Sequence, residues 1–201
     1  MNTRQRITTI IVTIACLTLA ATIGTAAQKN ASIKKSEQAA RARVARGAYL
    51  VNAIGGCNDC HTPLKLGPNG PEPDMTRMLS GHPEGLNMPP APKLGDGPWV
   101  WAGAGTNTAF AGPWGVSYSA NLTPDRLTGI GIWDEQMFIK TLRTGRHWGV
   151  SRPILPPMPW QAFRNMTDED LASIYAYLRT VKPVRNQVPD AVLAGAQVAA
   201  K

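Results

Sequence analysis

The stretch Gly55-Gly56-Cys57-Asn58-Asp59-Cys60-His61 decides how the rest of this chain is interpreted. It contains the pattern C-x-x-C-H, which is the attachment signal for a c-type haem. Two thiols three positions apart can each add to one vinyl group of the same porphyrin, and the histidine that follows is held under the iron. The stretch therefore predicts one covalent haem c, attached through Cys57 and Cys60, with His61 as a metal ligand.

Two other uses of the cysteine pair have to be weighed. In an exported chain, Cys57 and Cys60 could form a disulfide or act as a thiol–disulfide redox pair, and a thioredoxin-like use would require a βαβ context. Here an Ala-rich helical pattern precedes the pair and His-Thr-Pro follows it. The third cysteine, Cys16, lies in an apolar run, so no disulfide framework is available. We favour haem attachment because C-x-x-C-H is far more specific than C-x-x-C.

Residues 1–27 are predicted to be a signal peptide or an N-terminal membrane anchor. Arg4 and Arg6 precede an apolar run from Ile7 to about Ala27, and small residues near its end offer a cleavage point. If it is not cut, this run is long enough to span a bilayer. The positive flank keeps the N-terminus in the cytoplasm. We therefore expect the body in the periplasm or at the extracytoplasmic face of the inner membrane.

A helix is predicted from Glu37 to the glycine pair at Gly55, after a polar tether at residues 28–36. Its apolar positions recur at helical spacing, at Ala40, Val44, Ala48 and Val51. Gly47 lies inside this helix despite a cost of about 1 kcal/mol relative to alanine. A glycine at that position would let another helix cross closely.

Two further helices are predicted near the C-terminus. Asp134 is an N-cap for a helix from Glu135 to Thr144, which a glycine closes. Thr167 begins an amphipathic helix through an acidic relative of the capping box, and Pro183 ends it. The Ala- and Val-rich residues 184–201 are expected to be loosely attached, with residues 190–201 forming a tail beyond the domain.

Residues 62–131 are rich in proline and glycine, and no helix longer than two turns fits within them. Trp99-Val100-Trp101 and Thr108-Ala109-Phe110 are predicted to pair as a short β-hairpin. A loop this long inside a compact domain is uncommon and usually functional. We expect this insertion to wrap the haem and to cover its edges.

Together these features resemble a class I cytochrome c domain, in which a first helix leads into C-x-x-C-H and a late methionine precedes a closing helix. The closer likeness is to single-haem and di-haem bacterial cytochromes associated with dehydrogenases. Those proteins carry stretches similar to Tyr118-Ser-Ala-Asn-Leu-Thr-Pro-Asp125, Thr128-Gly-Ile-Gly-Ile-Trp133 and Pro157-Met-Pro-Trp160. The resemblance covers about Arg46 to Pro189. It implies a mainly α, cytochrome c-like domain at residues 37–189, although the long insertion departs from the shortest members.

The resemblance also implies that His61 is the proximal ligand and Met158 the distal one. A thioether is a soft ligand suited to haem iron, and Met/His ligation raises the reduction potential. Prolines on both sides of Met158 would stiffen the loop that presents the sulfur. Alternatives stay open at Met75, Met78, Met88 and His147. His82, in Ser-Gly-His-Pro, is interpreted as a surface turn residue.

The net charge of +8 becomes +6 without residues 1–27, because 19 basic side chains then stand against 13 acidic ones. Such a surface would steer an acidic redox partner or favour an anionic membrane. Nucleotide-binding and protease motifs are absent, and nothing in the basic residues indicates nucleic acid. Candidates for pairing with the haem propionates are Arg143, Arg146, Arg152, Trp148 and Trp160.

We therefore expect an electron-transfer protein rather than an enzyme, working between a dehydrogenase or respiratory donor and a downstream cytochrome or oxidase. The free ring nitrogen of His61 should donate a hydrogen bond to a backbone carbonyl in the Pro-rich stretch after it. Two other classes remain open. A labile Met158 would make the chain a haem enzyme or a gas or peroxide sensor, and the chain could also be a membrane-anchoring cytochrome subunit of a dehydrogenase complex.

Overall fold

A computed structural model describes residues 28–195 of the chain. The described residues divide into two units, with the boundary between residues 42 and 43. In the first unit, the described residues 28–42 are helical and exposed. The predicted signal peptide or anchor at residues 1–27 lies outside the described residues. From residue 28 to residue 195, no helix is both long and apolar enough to cross a membrane.

The first helix, α1, covers residues 28–49 and continues as a π-helical turn, Leu50–Ile54. It includes residues 28–36, so the predicted start at Glu37 is wrong. Those residues are polar, but they contain no proline or glycine, and Gln, Lys and Ala are good helix formers. The end at the glycine pair is confirmed. Gly56 has a φ of 56°, which glycine adopts without strain, and helix α2, Cys57–His61, begins directly after it.

Helix α1 crosses the last long helix, α5, at Gly47. Helix α5 covers Asp168–Leu178. A Cβ atom added to Gly47 would lie 1.9 Å from the carbonyl oxygen of Ser173 and 2.8 Å from Cβ of Tyr177. The prediction that Gly47 lets another helix cross closely is therefore confirmed. Arg46 pairs beside this crossing with Asp170, at 2.8 and 3.2 Å.

The caps of the two later helices are those that the sequence predicts. Helix α3 covers Glu135–Thr144, and the carboxylate of Asp134 accepts a hydrogen bond from the N–H of Met137 at 2.7 Å. Gly145 closes α3 with a φ of 65°. The hydroxyl of Thr167 accepts from the N–H of Asp170 at 3.1 Å. Between these helices lie a 3-10 turn, His147–Gly149, and a short helix α4, Trp160–Phe163.

One hydrophobic core joins the end of α1 to α3 and α5, as expected for a mainly α domain. Its buried side chains are Leu50, Val51, Leu79, Ile130, Phe138, Ile139, Leu142, Leu171, Ala172, Ile174 and Leu178. Leu79 and Ile130 come from the insertion rather than from helices. The insertion is thus anchored in the helical core at both of these points.

The insertion also contains short antiparallel strands. Strands β1, Leu64–Gly67, and β2, Gly70–Pro73, form an antiparallel hairpin. A 3-10 turn at Met75–Arg77 follows this hairpin. A second sheet has the order β3-β4-β5-β6, with bounds Ala102–Gly103, Ala109–Gly112, Gly115–Tyr118 and Val192–Leu193.

A hairpin is present in this region, but its first strand contains none of the three residues predicted for it. Gly103 pairs with Phe110 and Ala102 with Ala111, whereas residues 99–101 are not in a strand. Trp99 is 79% exposed. The strand preference of tryptophan reflects packing on a half-buried surface, and at Trp99 that surface is missing.

The C-terminal tail is attached more firmly than its composition indicates. Val192 pairs with Val116 and Leu193 with Gly115, which makes β6 an edge strand of the second sheet. The prediction of loose attachment from residue 184 is therefore wrong for Asn186, which is fully buried, and for residues 192–193. Residues 196–201 lie outside the described part.

We expect Gly47→Ala to destabilise the protein by about 2 kcal/mol. Overpacking against a backbone carbonyl costs about 1–3 kcal/mol, sometimes more, and better helix propensity offsets only about 1 kcal/mol of this. Guanidinium unfolding of the haem-loaded protein measures the loss. Gly97→Ala is the control, because a Cβ there meets nothing within 4 Å. Equal stability of both variants would contradict the close crossing.

Stability should also depend on pH through the Arg46–Asp170 pair. The hydrogen bond from Arg46 lowers the pKa of Asp170. Its contribution is present above the unfolded pKa of about 3.9 and disappears as the pH falls through the lower folded pKa. We expect Asp170→Asn to cost less than about 1 kcal/mol near pH 7 and nothing at strongly acidic pH. A gap between parent and variant that persists in acid would rule out this assignment, and Glu169→Gln serves as the control.

Candidate functional site

Helix α2 carries both cysteines and the histidine of the C-x-x-C-H stretch within five residues. Cys57 and Cys60 are free thiols, both half-buried, so the structure contains no disulfide between them. Burial raises the pKa of the Cys57 thiol to about 11 and also raises the pKa of Cys60. Burial lowers the pKa of His61, which is 9% exposed, and so favours its neutral, metal-binding form.

The imidazole of His61 is oriented by a carbonyl far along the chain. Its Nδ1 lies 2.7 Å from the backbone oxygen of Ala120. A carbonyl only accepts, so Nδ1 carries the hydrogen and the lone pair is on Nε2. Within residues 28–195, no group forms a hydrogen bond with Nε2. The predicted bond from His61 to a carbonyl of the insertion is confirmed, and the carbonyl is that of Ala120.

These residues fit a covalently attached haem. Two cysteine side chains and one histidine lie on the same short helix, and the contact of Nδ1 with Ala120 leaves Nε2 for a metal ion, which is the donor set that attachment and ligation need. A Cβ on Gly55 would lie 3.4 Å from Sγ of Cys57 and 3.2 Å from the ring of Phe163. The missing side chain at Gly55 therefore leaves space beside the thiol.

Met158 lies half-buried in the loop between α3 and α4. It packs against the same hydrophobic cluster as Cys57, so the structure brings these two candidate residues to one core. The insertion holds this loop in place, because the hydroxyl of Ser117 donates a hydrogen bond to the carbonyl of Pro156 at 2.6 Å. The assignment of Met158 as a ligand stays a prediction.

The competing ligands lie in different surroundings. Met75 is 59% exposed, and Met78 packs against the helical core. Met88 lines an apolar surface cleft of about 420 Å³ beside Leu64. His147 is half-buried, with its ring 5.3 Å from that of Trp133, and burial lowers its pKa.

His82 is fully buried, so its interpretation as a surface turn residue is wrong. Its Nδ1 lies 2.9 Å from the hydroxyl of Thr108, and its ring packs at a tilt of 48° against that of Tyr118, with centroids 4.8 Å apart. Its backbone N–H donates to the carbonyl of Ser119 at 2.9 Å. A Gly-His-Pro sequence indicates a turn but says nothing about what covers that turn.

The arginines proposed for the haem propionates are partly engaged with protein groups. Arg143 pairs with Asp168 at 2.5 Å, and Arg146 donates to the carbonyl of Ser151 at 2.9 Å. The ring of Trp160 covers Gly145, where a Cβ would come within 2.4 Å. Arg143, Arg146 and Trp160 therefore all contact other parts of the protein.

Sequence reasoning missed the buried polar residues around Ala120. Asn121 donates to the carbonyl of Val184 at 2.8 Å and accepts from the hydroxyl of Thr123 at 2.7 Å. Asn186 is fully buried and lies against the insertion. Asn121 falls in a stretch that carries the family resemblance, which was a usable signal. The sequence around Asn186 offers none.

No family model matches the chain. Among curated relatives, the fructose dehydrogenase cytochrome subunit of Gluconobacter japonicus is 43% identical over 77 residues, which are 38% of this chain and 16% of that protein. The cytochrome c subunit of the quinone-dependent alcohol dehydrogenase of Gluconobacter oxydans is 40% identical over 82 residues, or 39% of this chain and 17% of the relative. The gluconate 2-dehydrogenase cytochrome c subunit of Pantoea cypripedii is 30% identical over 152 residues, or 74% and 25%.

The chain thus spans no more than a quarter of the length of these relatives. Within that part it is similar to cytochrome c subunits of dehydrogenases, in agreement with the resemblance in its sequence. The similarity supports a cytochrome c associated with dehydrogenases.

We expect Thr62→Val to weaken the structure next to His61. The fully buried hydroxyl of Thr62 donates to Asn58 at 2.7 Å and accepts from the N–H of Leu79 at 2.8 Å. Valine leaves that buried N–H without an acceptor, which costs about 1–3 kcal/mol. Guanidinium unfolding measures the loss, and the exposed Thr76→Val should change stability by less than about 0.5 kcal/mol. A parent-like Thr62→Val would show that Leu79 finds another acceptor.

Proposed function

We propose that the chain is an extracytoplasmic, single-haem c-type cytochrome of class I that carries electrons. The donor is a dehydrogenase or respiratory enzyme and the acceptor a downstream cytochrome or oxidase. One observation carries the proposal: helix α2 places Cys57, Cys60 and His61 within five residues, and Nδ1 of His61 lies 2.7 Å from the carbonyl oxygen of Ala120. The similarity to cytochrome subunits of dehydrogenases supports the choice of donor.

In this proposal each site residue has a distinct task. Haem c, when bound, supplies a one-electron redox couple. Cys57 and Cys60 hold the porphyrin covalently, and His61 ligates the iron through Nε2. The hydrogen bond to Ala120 fixes the histidine ring and raises its basicity as a ligand. Met158 is the distal ligand, and the core that it shares with Cys57 keeps water away from the site.

The charge of the chain and its first residues bear on where it works and with what. Residues 1–27 export the chain or anchor it, so that the haem acts outside the cytoplasm. The net charge of +6 that remains without them favours transient docking of an acidic redox protein. A retained anchor would equally suit a cytochrome subunit that keeps a dehydrogenase at the membrane, and co-purification with such an enzyme from solubilised membranes would favour this second form.

The full chain, produced with haem c maturation, should bind one haem per chain by mass spectrometry. The oxidised protein should show a sulfur-to-iron charge-transfer band that Met158→Ala removes, together with a lower reduction potential, because Met/His ligation raises the potential. Met88→Leu and His147→Phe are matched controls and should keep the band.

A high-spin spectrum with rapid cyanide or CO binding in the parent, unchanged in Met158→Ala, would overturn the electron-carrier proposal. That result would favour a haem enzyme or a gas or peroxide sensor. A preparation without covalent haem would overturn the assignment of Cys57 and Cys60.

A further inference from the structure

Four residues of the insertion, Leu79-Ser80-Gly81-His82, bridge helix α2 and the stretch that contains Ala120. We call residues 79–82 the bridging segment, and all four are buried. On one side, the N–H of Gly81 donates to the carbonyl of His61 at 2.7 Å. On the other side, the N–H of His82 donates to Ser119, and the carbonyl of Leu79 accepts from Leu122, both at 2.9 Å. The bridging segment thus links the haem-attachment helix to the residues on both sides of Ala120.

Gly81 allows this link to be as close as it is. Its φ is 78°, a conformation that favours glycine. A Cβ there would lie 2.3 Å from the carbonyl oxygen of Ser119 and 2.7 Å from that of Ala120. Any side chain at this position would push against the very carbonyl that accepts from His61. Leu79 also has a positive φ, 60°, which is costly for a branched residue and persists only where its surroundings enforce it.

Asn186 holds the bridging segment from the C-terminal part of the chain. Its amide Nδ2 donates to the carbonyls of Ser80 at 2.7 Å and His82 at 2.8 Å. Its Oδ1 accepts from the guanidinium of Arg77 at 2.8 Å and from the N–H of Glu84 at 2.9 Å. Both hydrogens and both lone pairs of this fully buried amide are therefore used. A polar group with this many buried partners fixes the position of the chain that it binds.

We propose that Gly81 and Asn186 are positioning residues for the proximal ligand. They hold the Ala120 carbonyl on Nδ1–H of His61 and thereby set how strongly His61 donates to the iron. The inference rests on the proposed function, in which His61 binds haem iron. A hydrogen bond at Nδ1 makes the imidazole a stronger donor, and a stronger donor favours the more highly charged, oxidised iron. Loosening the bond therefore raises the reduction potential.

The test uses the haem-loaded full chain with Gly81→Ala and Asn186→Leu. Leucine has nearly the size of asparagine, introduces no charge and cannot hydrogen bond. Matched controls are Gly85→Ala, where a Cβ meets nothing within 4 Å, and Asn87→Leu at an exposed position. We expect both test variants to raise the reduction potential and to shift the NMR resonance of the His61 Nδ1 proton upfield, while both controls keep the parent values.

Parent-like potentials and Nδ1 proton resonances in both test variants, with low-spin haem intact, would overturn the inference. Should the variants fail to fold, amide hydrogen exchange of the parent decides. Gly81 and His82 should exchange only through global unfolding, and exchange as fast as that of exposed Gly97 would overturn the inference. A parent that lacks haem on His61 overturns the proposed function as well, so the two failures are distinguishable.

Discussion

The hydrogen bond from Nδ1 of His61 to the carbonyl of Ala120, at 2.7 Å, is the contact on which the arrangement of the rest depends. It joins the helix of the C-x-x-C-H stretch to the far end of the insertion. It also determines which nitrogen of His61 is free, because a carbonyl accepts only from a protonated Nδ1. The insertion is therefore one wall of the candidate haem site, and not simply a cover added to a helical domain.

The helices could be predicted because their signals are local. Asp134 and Thr167 each accept a hydrogen bond from an N–H three residues ahead, so a short stretch of sequence contains the whole interaction. The close crossing at Gly47 could also be predicted, because a glycine inside a helical pattern indicates that another segment packs closely against the helix at that position. Residues 28–36 were misassigned because polarity reports exposure and not secondary structure.

The residues of the candidate site also fall into those with a local sequence signal and those without one. Cys57, Cys60 and His61 could be predicted as candidate haem-binding residues because the chemistry of attachment fixes their spacing, and the structure places all three in one short helix. Ala120, His82 and Asn186 could not be identified, because each acts on segments that are distant in sequence. The backbone carbonyl of Ala120 has no residue-type signature at all. The Gly-His-Pro sequence indicated a turn. Only the contacts of His82 with Ser119 and with the hydroxyl of Thr108 show that this turn is buried.

The insertion adds the buried Leu79 and Ile130 and the partly buried Met78 and Leu122 to the core, and buried polar groups such as Asn121 and Asn186 hold it as well. Hydrogen bonds of this kind each add little net stability, but losing one partner of a buried pair costs about 1–3 kcal/mol. A segment held by buried hydrogen bonds keeps its position only while nearly all of its buried donors and acceptors are paired. His61 donates a hydrogen bond to Ala120, beside Asn121, so these buried polar contacts lie next to a candidate haem ligand.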